Sequence, residues 1–390
     1  MPKYVLFVLC FLSSWQSVFA QKKAPTPRRL TAEALAGDGV QTLLARFRLD
    51  RFACNFDEFY TLNKLKKGAY LKEGQTYSLP IKIYTYDKKS IKTSLAIKDN
   101  DLAQRVQIYN DKLTALSIKS DFRTSKEIWL PHHSTDCMAA VTASVPKERN
   151  YPVFGKSLAQ IEIKDTELAG TIYYLISGHG GPDPGAMAKV NKKYLCEDEY
   201  AYDVTLRLAR NLLEHGARVY LITIDPNDGI RSSEYLPKDT DEYCYPKQEI
   251  PVNQKQRLTQ RTDIINSLYT DWRKKGVTYQ RVVEIHVDSR SKKERIELFF
   301  YHAAENILGK QMTSAMRTVM AKRYADVRGD NSYKGNIEIR DLHTLRECLP
   351  PAVFIELGNI NNISDRQRIM QPSNRQTIAN WLAEGLLLDY

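Results

Sequence analysis

Two histidines and a glutamate stand where predicted β-strands end, and these residue types together could bind a metal. His179 follows the apolar run 171–177, His286 lies near the end of the run 281–287, and Glu356 closes the run 352–356. The carboxyl ends of strands in an open α/β sheet meet at one edge, where ligands collect. Two converging imidazoles and a carboxylate are the donor set of a catalytic zinc, whose fourth position is left to water. We therefore expect a zinc site at this edge.

The runs that carry these residues belong to a stretch in which predicted strands and helices alternate. Apolar runs predict strands at 171–177, 218–223, 281–287 and 352–356. Helical periodicity predicts helices at 200–215, 256–274, 307–324 and 374–388. Such alternation predicts an α/β fold over residues 166–390, with a mostly parallel sheet wrapped by helices.

Three segments of this stretch resemble the motifs of a known family. Residues 178–186 read GHGGPDPGA, 284–288 read EIHVD and 351–362 read PAVFIELGNINN. With the LTQR of 258–261, they resemble the zinc-dependent N-acetylmuramoyl-L-alanine amidases of the amidase 3 type. The resemblance implies that His179 and His286 bind Zn²⁺ and that Glu356 is the catalytic base. It also implies hydrolysis of the amide between N-acetylmuramic acid and L-alanine in peptidoglycan.

The chain departs from that family where a third zinc ligand should stand. The family places a glutamate directly before a helix that residues 203–212 match, but Ala201 occupies the glutamate position. Glu197 lies four residues earlier and shares the same face if the helix gains one turn, whereas Glu199 faces elsewhere. Glu197 is therefore the preferred ligand and Glu199 the alternative.

Two smaller features of the same domain leave alternatives open. Asp183 either orients His179 or is the aspartate of an Asp-Pro turn. The insertion 225–251, long and rich in Tyr, Pro and Asp, would form a lid or a substrate wall.

The first 35 residues are predicted to be a targeting segment and a linker. Residues 1–20 have a basic start, an apolar stretch and a small-residue ending, which is typical of a secretory signal peptide. Residues 21–35 are rich in Pro, Lys and Arg and predict a flexible lead. We expect an exported protein, periplasmic or associated with the cell wall.

Two further units are predicted before residue 166. Residues 36–85 follow a βααβ-like order. Their segments 59–65 (FYTLNKL) and 71–80 (LKEGQTYSLP) resemble a LysM module, which implies wall binding. Short alternating runs over 86–165 predict a β-rich connector.

The composition narrows the classes of partner. The 390 residues carry 57 basic and 46 acidic side chains, a formal net charge of +11. A basic surface suits a wall polymer with free carboxylates, and no motif favours nucleic acid. No apolar run of about 18 residues follows the signal, so no integral membrane segment is expected. Whether a protein activator exists stays open.

Two other functions remain as alternatives. One is a non-catalytic peptidoglycan-binding or regulatory protein on an amidase fold. The other is a related zinc peptidase, although the chain lacks the HExxH motif of the common zinc peptidases.

The cysteines are odd in number after the signal segment. They are Cys54, Cys137, Cys196, Cys244 and Cys348, and no pair has CxxC spacing. An odd count requires at least one free thiol. We interpret them as small buried side chains, while one or two disulfides remain open.

Overall fold

A computed structural model of the chain describes residues 26–137, 145–330 and 332–390. The predicted signal peptide, residues 1–20, lies outside the described residues. Within them, no helix combines the length and apolarity needed to cross a membrane.

The strands are β1 (Arg28–Glu33), β2 (Thr76–Thr85), β3 (Glu127–Pro131), β4 (Ile172–Ser177), β5 (Met187–Val190), β6 (Lys193–Cys196), β7 (Arg218–Leu221), β8 (Thr223–Ile224), β9 (Tyr243–Cys244), β10 (Gln248–Glu249), β11 (Gln280–Asp288), β12 (Phe299–His302), β13 (Ile337–Ile339) and β14 (Ala352–Asn359). The helices are α1 (Val40–Ala45), α2 (Ala53–Leu62), α3 (Ile91–Leu95), α4 (Asn100–Ala115), α5 (Phe122–Ser125), α6 (His133–Asp136), α7 (Glu197–Glu214), α8 (Gln254–Lys274), α9 (Ile307–Arg328), α10 (His343–Glu347), α11 (Ile363–Met370) and α12 (Pro372–Asp389). Pro152–Phe154 form a 3₁₀ turn.

A six-stranded sheet in the order β13-β12-β14-β11-β4-β7 forms the centre of the C-terminal domain. Strands β14, β11, β4 and β7 run parallel, and β12 pairs antiparallel with β14. The α/β class and the mostly parallel sheet predicted from the sequence are confirmed. The antiparallel strand β12 and the edge strand β13 beside it were not predicted.

Helices cover both faces of this sheet because its strands are apolar on both sides. Tyr173 and Leu175 pack into one core with α7, α9 and α12. The alternate residues Ile172, Tyr174 and Ile176 pack into a second core with α8 and α10. A period of two residues separates the two sets, as a pleated strand requires.

The segment predicted to be a flexible lead contains a strand, so that prediction is wrong for residues 28–33. Strand β1 pairs antiparallel with β2, and β2 pairs with β3. The partner of β1 lies more than forty residues away, so local composition does not reveal the pairing. The order β1, α1, α2, β2 is βααβ, but its first strand lies before the predicted bounds of 36–85.

The β-rich connector is also a wrong prediction, because the described residues between 86 and 137 are mainly helical. Residues 91–95 form α3 rather than a strand, and the longest element is the sixteen-residue α4. The Asp99 side chain caps α4 by accepting the N–H groups of Asp101 and Leu102. Val106, Tyr109 and Leu113 form its buried stripe at helical spacing.

The N-terminal unit docks on the C-terminal domain through buried charges. The Arg281 guanidinium, at the start of β11, donates to Asp50 at 3.0 Å. Its Nε lies 3.5 Å from Asp389 Oδ2, and Asp389 also accepts the Tyr279 hydroxyl at 2.7 Å. Arg51 stacks over the Tyr390 ring at 3.2 Å from its centroid. Removing one partner of such a buried pair leaves the other charge uncompensated, so each substitution here should destabilise the protein.

Two of the five cysteines are bonded, which corrects their interpretation as simple buried side chains. Cys54 of α2 and Cys137, just after α6, form a disulfide. Cys196 and Cys244 are buried thiols, and Cys348 is half-buried. The spacing of 83 residues between the bonded pair carries no sequence signal for this pairing.

Candidate metal centre

Three side chains from three elements converge at the carboxyl edge of the sheet. His179 lies in the loop after β4, His286 lies near the end of β11, and Glu197 is the first residue of α7. Their donor atoms all lie within 4.8 Å of one another. His286 Nδ1 is 2.8 Å from Glu197 Oε1, and His179 Nε2 is 3.3 Å from Glu197 Oε2. Donors about 2.0–2.1 Å from a tetrahedral zinc lie roughly 3.3 Å apart, so this set fits the ion.

The loop that carries His179 owes its shape to glycines. A Cβ on Gly178 would overlap the His286 ring, and a Cβ on Gly185 would come within 2.6 Å of Glu197 Oε2. His179 itself has a φ of 62°, in the left-handed region that side chains rarely adopt. Such strain is kept where the surrounding structure requires it, often at functional sites.

Each histidine has a carboxylate on the ring nitrogen that faces away from the other donors. His179 Nδ1 lies 2.9 Å from Asp183 Oδ2, and His286 Nε2 lies 3.2 Å from Glu284 Oε1. These contacts fix the ring orientation and leave His179 Nε2 and His286 Nδ1 as the donors. Of the two roles open for Asp183, contact with His179 is present.

Two supporting residues were not identified from the sequence. Glu284 shares a strand face with His286, two residues away, and this period-two spacing was a usable signal. Arg257 of α8 donates to Asp183 Oδ2 at 2.6 Å. Its distance of 74 residues from Asp183 left no pattern in the sequence.

The electrostatics favour a cation among the three donors. Burial alone would lower the pKa of His286, but its contacts with Glu197 and Glu284 raise it to about 10. The pKa of His179 is likewise raised, by Asp183 and Glu197 against burial. Both histidines hold the pKa of the Glu197 carboxyl well below its usual range despite its burial. Glu197 is therefore an ionised carboxylate, the form that can bind a metal cation.

Glu356 lies beside this set on the neighbouring strand. Glu356 pairs with His286 in the register of β14 and β11. Neighbouring strands lie about 4.8 Å apart. The side chain is 7% exposed, and its Oε2 has no hydrogen-bond partner. Burial and the nearby Glu197 and Asp288 raise its pKa well above the usual value, while His286 opposes the shift. A cation bound by the three donors would lower the pKa of Glu356, in the same direction as His286.

Glu199, the alternative ligand in the sequence analysis, points away from the histidines. Its Oε2 accepts from Arg231 at 2.7 Å and its Oε1 accepts from the Asp239 N–H at 3.1 Å. Helix α7 begins at Glu197, one turn before the predicted start, which brings Glu197 onto the face of Ala201. Glu197 also accepts the N–H groups of Ala186 and Val287.

The insertion 225–251 lies against the loop that carries His179. Its Glu242 accepts the N–H of Gly181 at 2.7 Å, and Ile250 contacts the position of a Gly181 Cβ. On the other side, a cavity of about 130 Å³ extends from the histidines. Two buried basic residues, Arg257 and Arg261, line it. Both guanidinium groups already bind protein groups, Arg257 the Asp183 carboxylate and Arg261 the His179 carbonyl.

A family model and a bacterial relative each match more than half of this chain. Residues 174–387 match the family model described as N-acetylmuramoyl-L-alanine amidase. The germination-specific N-acetylmuramoyl-L-alanine amidase of Bacillus subtilis (strain 168) is 24% identical over 224 residues, which cover 56% of this chain and 80% of the relative.

Solved structures similar to this chain include two clostridial proteins. The CwlD amidase from Clostridioides difficile, in complex with the GerS lipoprotein, is 21% identical over 55% of this chain and 96% of its own, with a TM-score of 0.41. Cwp6 from Clostridium difficile is 19% identical over 56% of this chain, with a TM-score of 0.40. The match spans 29% of the length of Cwp6. Since the family model covers more than half of its residues, the chain belongs to the N-acetylmuramoyl-L-alanine amidase family.

Proposed function

We propose that this protein hydrolyses the amide between N-acetylmuramic acid and the L-alanine of the stem peptide, with Zn²⁺ as cofactor. The convergence of His179, Glu197 and His286 beside the buried Glu356 carries the proposal. Three protein ligands with a fourth position open are the pattern of a catalytic rather than a structural zinc. Membership of the amidase family supports both the bond and the polymer.

The zinc, when bound, supplies Lewis-acid polarisation of the scissile carbonyl and activation of water near neutral pH. Asp183 and Glu284 hold the two imidazoles in the orientation that presents one nitrogen each. Glu356 accepts a proton from the attacking water and then donates it to the departing amine nitrogen. Its free Oε2 leaves that oxygen available for the transfer.

We place the reaction outside the cytoplasm, in the periplasm or at the cell wall, where peptidoglycan is found. The signal-like segment 1–20 and the net charge of +11 support this location. The same charge would attract a polymer with free stem-peptide carboxylates.

Digestion of purified peptidoglycan by the full chain tests the reaction. We expect mass spectrometry to find free stem peptides beginning with L-alanine, and glycan strands without peptides. EDTA should abolish the release and added Zn²⁺ should restore it. Cleavage only within the peptide would identify a zinc peptidase instead. Binding to sacculi without any cleavage would identify a non-catalytic wall-binding protein.

Zinc affinity is expected to rise with pH across the slightly acidic range. Contacts with Glu197 and their second carboxylates raise the pKa of His179 and His286, so both imidazoles are protonated in the metal-free protein at pH 5–6. Zinc binding must then displace up to two protons, and its affinity should increase by up to about a hundredfold per pH unit. Competition titrations with a chromophoric chelator at pH 5.5, 6.0 and 6.5 measure the slope. An affinity independent of pH would exclude these imidazoles as donors.

We further propose that the N-terminal unit binds the wall, as its LysM-like segments imply. Tyr70 is 94% exposed in the loop between α2 and β2, among the basic residues Lys66 and Lys72. An exposed aromatic ring next to basic groups suits a sugar face with nearby carboxylates. Because the unit is docked through buried charges, a point variant tests it better than a deletion.

We expect Tyr70→Ala to reduce the fraction of protein that sediments with insoluble peptidoglycan, while cleavage of soluble muropeptides is unchanged. Val327→Ala, an exposed apolar residue on α9, is the matched control and should sediment normally. Equal sedimentation of Tyr70→Ala and the control would assign this loop a purely structural role.

A further inference from the structure

A second group of carboxylates lies beside the metal centre and takes no part in it. It joins the start of α7 to the insertion 225–251, and we call it the acidic cluster: Asp198, Glu199, Asp239, Asp241 and Glu242. Donor oxygens of Asp198, Glu199 and Glu242 lie within 4.8 Å of one another, as do those of Asp239, Asp241 and Glu242. Glu242 therefore links two overlapping sets.

Two members of the acidic cluster each have a buried oxygen without a hydrogen-bond partner. Asp198 is 2% exposed, and its Oδ1 accepts the N–H of Glu199 at 2.9 Å. Its Oδ2 is buried and has no hydrogen-bond partner. Asp239 Oδ1 is a second buried oxygen without a partner. An ionised carboxylate is costly to bury unless a charge or a donor compensates it.

In the part of the chain that the structure describes, one basic side chain makes ion pairs in the region of the acidic cluster. Asp198 and Glu199 also lie in the first turn of α7, where acidic side chains are favoured. Within the described ranges, the ion pairs of the region with basic side chains all come from Arg231, which binds Glu199 and Asp228. Backbone N–H groups reach Glu199 and Glu242, from Asp239 and Gly181. Of the five carboxylates in the acidic cluster, Glu199 alone makes an ion pair with a basic side chain of the described residues.

We propose that the acidic cluster binds one Ca²⁺ ion. Its donors are all carboxylate oxygens, which hard cations prefer, and water or main-chain carbonyls would complete the six to eight ligands of calcium. The irregular loop geometry suits calcium better than magnesium, which demands a near-ideal octahedron. Zinc prefers the imidazoles of the neighbouring site.

The position of the ion gives it a structural consequence. Asp198 and Glu199 directly follow Glu197, and Glu242 holds the Gly181 N–H in the loop of His179. A calcium ion would therefore tie the insertion to the two segments that carry Glu197 and His179. This inference does not depend on the proposed reaction, because it concerns binding and stability.

Calcium titration of the chelator-treated full chain tests the proposal. We expect one Ca²⁺ per chain by calorimetry, with a dissociation constant between about 10⁻⁶ and 10⁻³ M, and a melting temperature that rises with CaCl₂. His286→Ala should keep this calcium response, which separates the site from the metal centre. Loss of the response in His286→Ala would place the ion at the histidines and overturn the proposal.

Two variants test the proposed calcium ligands, and a third is their control. Asp198→Asn and Glu242→Gln should each weaken calcium binding at least tenfold, whereas Asp271→Asn, 60% exposed on α8, should not change it. If Asp198→Asn does not fold, Asp239→Asn on the insertion replaces it. An unchanged calcium affinity in both Asp198→Asn (or its replacement Asp239→Asn) and Glu242→Gln, or no calcium binding by the wild type, would overturn the proposal.

Discussion

Replacing Glu356 by glutamine is expected to lower kcat by about 10²–10⁴-fold while the zinc content stays at the wild-type value. The amide keeps the size of the side chain but cannot accept a proton from the attacking water. Glu356 contacts none of the three donors through a hydrogen bond, so metal binding does not require it. Peptide release from muropeptides and zinc analysis of the same sample measure the two quantities.

Glu338→Gln is a suitable control for this substitution. Glu338 lies on β13, in the same sheet, and is exposed away from the donors. It should retain the wild-type rate. A rate near normal in Glu356→Gln would reject its role as base, and loss of zinc in that variant would make it a ligand instead.

Glu197→Ala is expected to weaken zinc binding by more than about a hundredfold. Loss of an outer partner of a zinc ligand already costs 10–100-fold in affinity, and loss of a direct ligand should cost more. The two oxygens of Glu197 lie 2.8 and 3.3 Å from the two imidazole donors. Its removal therefore takes away the carboxylate that faces both of these nitrogens.

Glu199→Ala is the matched comparison, since it removes a neighbouring carboxylate of the same helix turn. Glu199 binds Arg231 and the Asp239 N–H, so its loss should leave zinc affinity within about tenfold of wild type. The reverse order of the two variants would transfer the ligand role to Glu199. No loss in either would favour a wall-binding protein without catalysis.

The parts of the site that the sequence could predict are those set by strand ends. His179, His286 and Glu356 each follow or close an apolar run, and parallel strands bring such ends together. Glu197 was harder, because its place depends on where α7 starts rather than on the helix pattern itself. Its ranking above Glu199 followed from helical geometry, and the structure places it near both histidines.

The N-terminal half shows why the remaining predictions failed. Strand β1 exists only through its pairing with β2, and the Cys54–Cys137 bond joins positions far apart in the chain. Both depend on tertiary contacts that local patterns do not carry. Helix α4 is different, because Asp99 and the spacing of Val106, Tyr109 and Leu113 were readable signals of a helix.

The buried pairing of Arg281 with Asp50 determines where the N-terminal unit lies relative to the candidate metal centre. Arg281 and His286 lie on the same strand, five residues apart, which is roughly 17 Å in an extended chain. The N-terminal unit thus contacts one end of the strand whose other end carries His286. If the N-terminal unit binds a glycan strand and the metal centre cleaves a stem-peptide amide on that strand, as proposed, the distance between the two sites would be constant. A catalytic domain on a flexible linker would instead reach a range of distances. The cleaved bond would then lie at a constant distance from the point where the N-terminal unit is bound.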